Sequence, residues 1–504
     1  MYKIFQGSHL VEAYHELKKS RRLSKDNMWK KAVKLSIAII VSLVLWLIPI
    51  ESFGIEGLTM VEQRLISIFV FATLMWVLEA VPSWTTSMVV VAILLLSVSD
   101  SSLWFFVKDY DPAVLGTLVK HKSIMHCFAD PIIMLFIGGF ILAIAATKSG
   151  LDVILAKVML RPFGTHSNMV LLGFILVTGF FSMFISNTAT AAMMLTFLTP
   201  VLKALPADGK GKIGLALAIP VGANIGGMGT PIGTPPNAIA LKYLNDPEGL
   251  NLNIGFGEWM GFMFPYTIVI LIIAWFVLLR LFPFKQKTIY LNIEGEAKKD
   301  WRSIVVYVTF AITVLLWMCD KFTGVNANTV AMIPIAVFCV TGVITKRDLE
   351  EINWSVLWMV AGGFALGVAL NETGLAKHLI VSIPFEQWSP IMMIVGSGLL
   401  CWAMANFISH TATAALLVPI LAIAGTSMKD ILAPLGGVET LLIGVALGSS
   451  LAMILPISTP PNALAHATGM IQQKDMEVVG IIMGVVGLVL GYLMLIVLGS
   501  SGIL

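Results

Sequence analysis

Two short polar segments interrupt apolar stretches of this chain, and their residue types suit the binding of an anion. They are Ser186-Asn187-Thr188 and Ser409-His410-Thr411. Hydroxyl and amide groups donate hydrogen bonds to carboxylate oxygens. If each segment is the tip of a helical hairpin, the returning helix adds free N–H groups and the positive end of its dipole. We therefore expect Asn187, Thr188 and Thr411 to contact a carboxylate, at the tips that also hold Ser409 and His410.

Two proline-containing segments break other apolar helices. Each ends in Thr-Pro-Pro-Asn, at 234–237 and at 459–462, and the first is preceded by several glycines. Proline lacks a backbone N–H and frees carbonyl groups of the preceding turn. Free carbonyls inside a membrane must be buried or line a cavity, where they bind cations such as Na⁺. We expect a binding site lined by Thr234, Pro235, Thr459 and Pro460, the alternative being a packing kink.

The chain repeats itself at an offset of 223 to 225 residues. Polar residues at one tip could simply join helices by hydrogen bonds, but two tips and two breaks at equivalent positions favour a binding site between repeats. The matching segments are 138–140 with 362–364, 149–151 with 373–375, 186–192 with 409–415, and 234–238 with 459–463.

The elements that position these motifs follow from composition. Hydrophobic residues make up 58% of the 504 residues and charged residues only 12%, against about a quarter charged in soluble proteins. We predict an all-α polytopic membrane protein with about 11 transmembrane helices and two re-entrant hairpins, at 168–200 and 389–425. The spans are 33–50, 62–81, 84–98, 132–147, 213–242 (broken), 258–282, 303–319, 328–344, 355–371, 438–468 (broken) and 477–500.

The predicted domains are two inverted repeats, 33–282 and 303–504, joined by a polar cytosolic linker at 283–302. Residues 1–32 are basic and read as a cytosolic amphipathic segment on the membrane surface or, equally, as a disordered tail. Lys and Arg concentrate in the loops on one side, which places the N-terminus in the cytosol and the C-terminus outside. In this topology the hairpins open in opposite directions.

The positions of the charged residues reduce the number of protein classes to consider. Every Lys and Arg can be placed in a loop or at a helix end, so a dianion at mid-membrane must be met by helix dipoles, neutral donors and mobile cations. This favours cation-coupled uptake over a clamped anion channel. The sequence lacks HExxH, GxGD, GxSxG and GxxxxGK[ST], so we predict neither an enzyme nor an ATP-driven pump. His410, which stands where the first repeat has Asn187, is either neutral, protonatable or a cationic stand-in for an ion.

Together with Leu78-Glu79-Ala80-Val81-Pro82, the tips and breaks resemble the divalent anion/sodium symporter family of INDY-like carboxylate transporters, from about 33 to 504. The resemblance implies an elevator-type homodimer in the cell membrane, with a static scaffold and a mobile transport domain. It implies lipid, Na⁺ and small dicarboxylates as partners, and no nucleic acid. The implied substrates are succinate, malate, fumarate, 2-oxoglutarate or citrate, and sometimes sulfate.

The resemblance also assigns a first Na⁺ site to Ser182, Ser186, Asn187 and the backbone near Gly229. The second Na⁺ site departs from the family pattern, because His410 replaces an Asn and Ala405 replaces a common Thr. Na⁺ symport at the first-repeat site is the leading hypothesis. The alternative is a Na⁺-independent dicarboxylate exchanger in which His410 replaces the second Na⁺.

Overall fold

The computed structural model describes residues 25–108, 111–205, 209–246, 249–290, 300–382 and 388–502. Regular structure in these ranges is helical throughout, without a strand, which confirms the predicted all-α fold. Most of the basic N-terminal segment and residues 291–299 of the linker lie outside the described residues, so these predictions stand as they were.

The described residues between 25 and 281 form twelve α-helices and five short 3₁₀-helices. The 3₁₀-helices are Ile50–Phe53, Trp104–Phe106, Cys127–Ala129, Arg161–Phe163 and Gly227–Gly229. The α-helices are Lys25–Leu47, Met60–Leu78, Ser83–Ser97, Pro112–Leu115, His121–His126, Pro131–Ser149, Leu151–Leu160, Ser167–Phe184, Asn187–Ala204, Lys210–Gly226, Pro235–Leu244 and Phe256–Leu281.

The described residues from 301 to 500 are helical as well. A π-helical turn, Met392–Gly396, runs into its hairpin, and a 3₁₀-helix spans Ala433–Leu435. The α-helices are Trp301–Met318, Asp320–Thr323, Ala327–Val330, Met332–Val340, Lys346–Glu350, Trp354–Thr373, Leu375–Ser382, Ser397–Ala405, His410–Ser427, Lys429–Leu432, Gly437–Ser450, Pro460–Ala467 and Gln473–Ser500.

Nine helices in the described ranges are long and apolar enough to cross a membrane, or ten if the pair Lys429–Leu435 and Gly437–Ser450, bent by 70°, counts as one span. The predicted spans 84–98 and 328–344 fall on shorter apolar helices. Many side chains of Trp301–Met318 and Gln473–Ser500 are apolar and exposed, as expected for helices that face lipid. The chain is a polytopic helical membrane protein.

Both polar segments lie at the tips of helical hairpins. In the first hairpin, Ser167–Phe184 is followed after two residues by the return helix Asn187–Ala204. In the second hairpin, Ser397–Ala405 is followed by the return helix His410–Ser427. An 18-residue arm is about 27 Å long at 1.5 Å per residue, so arm length alone resembles a full span. The tight turn at the polar residues is what distinguishes a hairpin.

The two broken helices pack against the hairpins reciprocally. The first broken helix comprises Lys210–Gly226, the 3₁₀-helix and Pro235–Leu244, and its second half contacts the return helix of the second hairpin. The second broken helix comprises Gly437–Ser450 and Pro460–Ala467, and its second half contacts the return helix of the first hairpin. This exchange brings both tips and both breaks into one central region.

The remaining long helices form a flanking group beside this centre. Within the group, Trp354–Thr373 packs on Ser83–Ser97, and Trp301–Met318 packs on Pro131–Ser149. Lys148 joins the repeats through a 2.6 Å ion pair with Asp348. Burial opposes ionisation of Asp348, but hydrogen bonds from Lys148 and Thr345 outweigh it and hold the pKa of this carboxyl below its ordinary value.

Glycines allow the first hairpin to approach the first broken helix closely. A Cβ on Gly226 would overlap the backbone of Gly179, and one on Gly222 would lie 2.9 Å from the carbonyl oxygen of Ile175. These contacts press the two helices together directly beneath the first tip. Packing this tight leaves no room for a larger side chain.

We expect Gly226→Ala to lower the thermal unfolding temperature of the detergent-purified protein by several degrees, because overpacking a dense core costs about 1–3 kcal/mol. Gly261→Ala is the matched control, since a Cβ on Gly261 meets nothing within 4 Å. Equal unfolding temperatures for the two variants would contradict the close approach.

Candidate functional site

A serine begins the return helix of each hairpin. The Ser186 hydroxyl accepts the N–H of Ala189 at 3.3 Å, and the Ser409 hydroxyl accepts the N–H of Ala412 at 3.1 Å. Serine is among the best helix N-caps because it satisfies a donor of the first turn. The cap leaves the earliest N–H groups of each return helix without an intrahelical acceptor, so both tips present donors to the centre.

Asparagine side chains hold the two breaks open. The Asn237 amide donates to the carbonyls of Gly227, Met228 and Thr230 at 3.3, 3.1 and 2.8 Å. The Asn462 amide donates to the carbonyls of Met453 and Leu455 at 2.8 and 3.1 Å. Because buried carbonyls need partners, these amides stabilise chain segments that proline has removed from helical bonding.

Three oxygen atoms converge where the first tip meets the first broken helix. The Ser182 hydroxyl lies 2.6 Å from Oδ1 of Asn187 and 2.7 Å from the carbonyl oxygen of Ala223. A hydroxyl carries one hydrogen, so Ser182 can donate to one of these oxygens at a time. The other pair of oxygens is then in contact without a hydrogen between them, and a small cation would relieve that repulsion.

One of the two glycines near the first break lies beside this cluster of three oxygens. Gly227 lies beside Asn187, since a Cβ on it would be 2.7 Å from Oδ1. Gly229 packs instead against the side chain of Met183, and Thr230 donates to the carbonyl of Met183. Of the predicted cation ligands, Ser182 and Asn187 are in contact, Ser186 caps the return helix, and Gly229 packs against Met183.

The equivalent place in the second repeat is organised by a hydrogen bond. Nε2 of His410 lies 2.6 Å from the carbonyl oxygen of Ala452, and a carbonyl only accepts, so Nε2 carries the hydrogen. Ser449 donates to the His410 carbonyl at 2.6 Å. Ala405, at the position equivalent to Ser182, is fully buried and has no hydroxyl. A nitrogen donor thus stands where the first repeat gathers oxygens.

The remaining predicted residues line the same region to different depths. Thr411 is buried and Thr188 half-buried, each at the second position of its return helix. Thr234 and Thr459 are buried before the two Pro-Pro pairs. Pro235 is half-buried, whereas Pro460 is exposed.

Charged side chains are buried elsewhere. Within the described ranges they lie outside the hairpins and broken helices: Glu62, Arg64, Asp152, Asp320 and Asp348. Arg64, for example, donates to the carbonyls of Ser97 and Phe106. The central region therefore offers an anion neutral donors and helix N-termini, and it offers a cation neutral oxygens. An anion and a cation held there together would attract each other strongly in a medium of low dielectric constant.

The sequence predicted the tips and the breaks. It did not predict that the carbonyls of Ala223 and Ala452 take part in the site, or that the side chains of Asn237 and Asn462 bind the free carbonyls of the breaks. The asparagines end the repeated Thr-Pro-Pro-Asn segments, so their recurrence was the available signal. Nothing in the sequence marks the carbonyls of two alanines.

Comparison with known proteins adds independent information. A family model described as the sodium:sulfate symporter transmembrane region matches residues 29–501. Proteins named sodium-dependent dicarboxylate transporter SdcS, from Staphylococcus aureus strains USA300 and MRSA252, are 29% identical over 508 aligned positions, covering 92% of each chain.

Two solved structures share the fold. The YdaH transporter of Alcanivorax borkumensis has a TM-score of 0.54 at 12% identity, covering 86% of this chain and 98% of its own. MtrF of Neisseria gonorrhoeae, from a class described as antimetabolite efflux pumps, has a TM-score of 0.52 at 13% identity, covering 82% and 94%.

Proposed function

The chain belongs to the sodium:sulfate symporter family, and on that premise we propose that it carries C4-type dicarboxylates across the cell membrane together with Na⁺. The family resemblance expected from the motifs is confirmed, and so is the expectation that the chain is a transporter and not an enzyme. The curated relatives carry a sodium-dependent dicarboxylate transporter name, which supports both the cation and the substrate class.

The observation that carries the proposal is the cluster of Ser182, Asn187 and Ala223. Three oxygens at 2.6 and 2.7 Å spacing with one hydrogen among them form a neutral oxygen site of the kind that Na⁺ binds near broken membrane helices. Na⁺ is a transported substrate in this account. Its charge would lie next to the first tip and attract a carboxylate to Asn187 and Thr188.

Two tips with neutral donors suit a substrate with two carboxylates. The Ser409–Thr411 tip and Thr459 would hold the second carboxylate from the opposite side. Because the site contains no fixed positive charge within the described residues, neither ion is well stabilised alone. Transport of either ion alone is therefore disfavoured, and this is the physical basis of coupling.

Alternating exposure would come from movement of the hairpins and broken helices against the flanking group, as in an elevator within a homodimer. In support, Lys242 on the first broken helix pairs with Asp130 of the flanking group and lies 3.7 Å from the ring centroid of Phe364. These contacts have to break when the two groups slide. The cytosolic N-terminus and external C-terminus are part of this proposal.

We expect succinate uptake into proteoliposomes to require an inward Na⁺ gradient in place of K⁺, and to proceed without internal succinate. Asn187→Ala should abolish this uptake while the protein still elutes as a folded species, because both the cation and the carboxylate lose a ligand. Asn328→Ala, in the short helix Ala327–Val330, is the control. Normal uptake by Asn187→Ala would overturn the site assignment.

A second candidate is an exchanger that swaps external for internal dicarboxylate without Na⁺. The hydrogen bond from His410 to the Ala452 carbonyl favours it, because the imidazole occupies an oxygen that a second cation would otherwise bind. His410 would then supply the polarity, or the charge when protonated, that the second Na⁺ supplies elsewhere.

His410→Asn separates the two candidates. Restoring an amide oxygen should increase the Na⁺ dependence of succinate uptake, seen as a steeper rise of initial rate with Na⁺ concentration. His126→Asn, at an exposed position, controls for the substitution itself. An unchanged Na⁺ dependence would mean that His410 does not stand in place of a cation.

A further inference from the structure

A single side chain connects the two breaks. Asn224 follows Ala223 in the first broken helix, and it is 1% exposed. Its Nδ2 donates to Oγ1 of Thr459 at 3.2 Å and to Oδ1 of Asn462 at 3.1 Å. The residue therefore joins the oxygen cluster of the first repeat to the break of the second repeat.

The network fixes which way each amide points. Nδ2 of Asn462 faces the carbonyls of Met453 and Leu455, which only accept hydrogen bonds. Its Oδ1 must then face Asn224, and Asn224 must present its N–H groups. A reversed amide on Asn224 would place two oxygens in contact.

In this arrangement the Thr459 hydroxyl can act toward a ligand only as a hydrogen-bond donor. Its hydroxyl oxygen accepts from Nδ2 of Asn224 and from the N–H of Asn462, both at 3.2 Å. A hydroxyl oxygen has two lone pairs and one hydrogen. With both lone pairs engaged, Thr459 has only its hydrogen left to offer, and a carboxylate oxygen is a suitable acceptor.

The hydrogen bond from Asn224 to the second repeat has no counterpart from the equivalent residue of the second repeat to the first. The position equivalent to Asn224 in the second repeat is Ser449, which is too short to cross and donates instead to the His410 carbonyl. Thr234, the counterpart of Thr459, is buried, and among the described residues no side-chain amide donates to its hydroxyl. The side-chain contact therefore links the oxygen cluster of the first repeat to the break of the second repeat.

We propose that Asn224 is a positioning residue that couples occupancy of the first-repeat cation site to carboxylate binding at Thr459. The inference rests on the proposed Na⁺-coupled transport. A cation bound at Ser182, Asn187 and the Ala223 carbonyl fixes the backbone at Ala223, and with it the neighbouring Asn224. Asn224 then holds the Thr459 hydroxyl as a donor. By thermodynamic linkage, the carboxylate raises Na⁺ affinity by the same factor.

The test measures the succinate KM for uptake at low and at saturating Na⁺. For the natural protein we expect KM to fall as the Na⁺ concentration rises. We expect Asn224→Ala to raise KM about fivefold at saturating Na⁺, the loss of roughly one neutral hydrogen bond, and to bring the ratio of the two KM values toward one. The maximal rate should change less than twofold. If Asn224→Ala does not fold, Asn224→Ser, the residue found at the equivalent position, is measured in its place.

Variants of Thr459 separate positioning from general destabilisation. Thr459→Val, which removes the hydroxyl, should raise KM as Asn224→Ala does, whereas Thr459→Ser, which keeps the hydroxyl, should raise KM less than Thr459→Val. The double variant should be no worse than Thr459→Val alone, because Asn224 acts through that hydroxyl. Additive effects, or a Na⁺-dependent KM that survives in Asn224→Ala, would overturn this inference alone. A KM independent of Na⁺ in the natural protein would overturn the proposed function and this inference with it.

Discussion

The main constraint at the centre of this protein is that three neighbouring oxygen atoms share a single hydroxyl hydrogen. Ser182, Asn187 and Ala223 bring three oxygens together around one hydrogen, and the buried charged side chains of the described residues lie outside the hairpins and broken helices. Such a cluster is stable when a cation joins it. In the function proposed here, a cation in this cluster would attract a dianion to the adjacent tip, and the requirement for both ions would follow from electrostatics in a medium of low dielectric constant.

The rest of the fold makes this cluster possible. Pro231 lacks the N–H that would bond the Gly227 carbonyl in a helix, and Asn237 donates to the carbonyls of Gly227, Met228 and Thr230. Close contact at Gly179 and Gly226 brings the first hairpin against the break. The second repeat reuses this plan with different atoms, since His410 donates to the Ala452 carbonyl where the first repeat presents Asn187 to a cluster of oxygens.

Periodicity and repetition in the sequence were enough to predict the helical membrane fold, both hairpins and both breaks. Each depends on local chemistry: apolar length for a span, a serine cap for a return helix, proline for a break. The hydrogen-bond partners of the site residues could not be predicted from the sequence. A repeat offset shows that His410 and Asn187 are equivalent, yet it cannot show that one meets a carbonyl and the other a hydroxyl. The cross-repeat contact of Asn224 likewise depends on a fold-level juxtaposition of residues 235 positions apart.

The most direct test of this account is equilibrium binding of ²²Na⁺ to the purified protein in the absence of substrate. We predict saturable binding of one ion per chain, displaced by unlabelled Na⁺ but not by K⁺, and lost in Ser182→Ala, which should remain folded because alanine already occupies the equivalent position 405. Absence of saturable binding would contradict the account. It would mean that Asn187 turns its amide nitrogen toward Ser182, so that the three groups satisfy one another and leave no place for a cation.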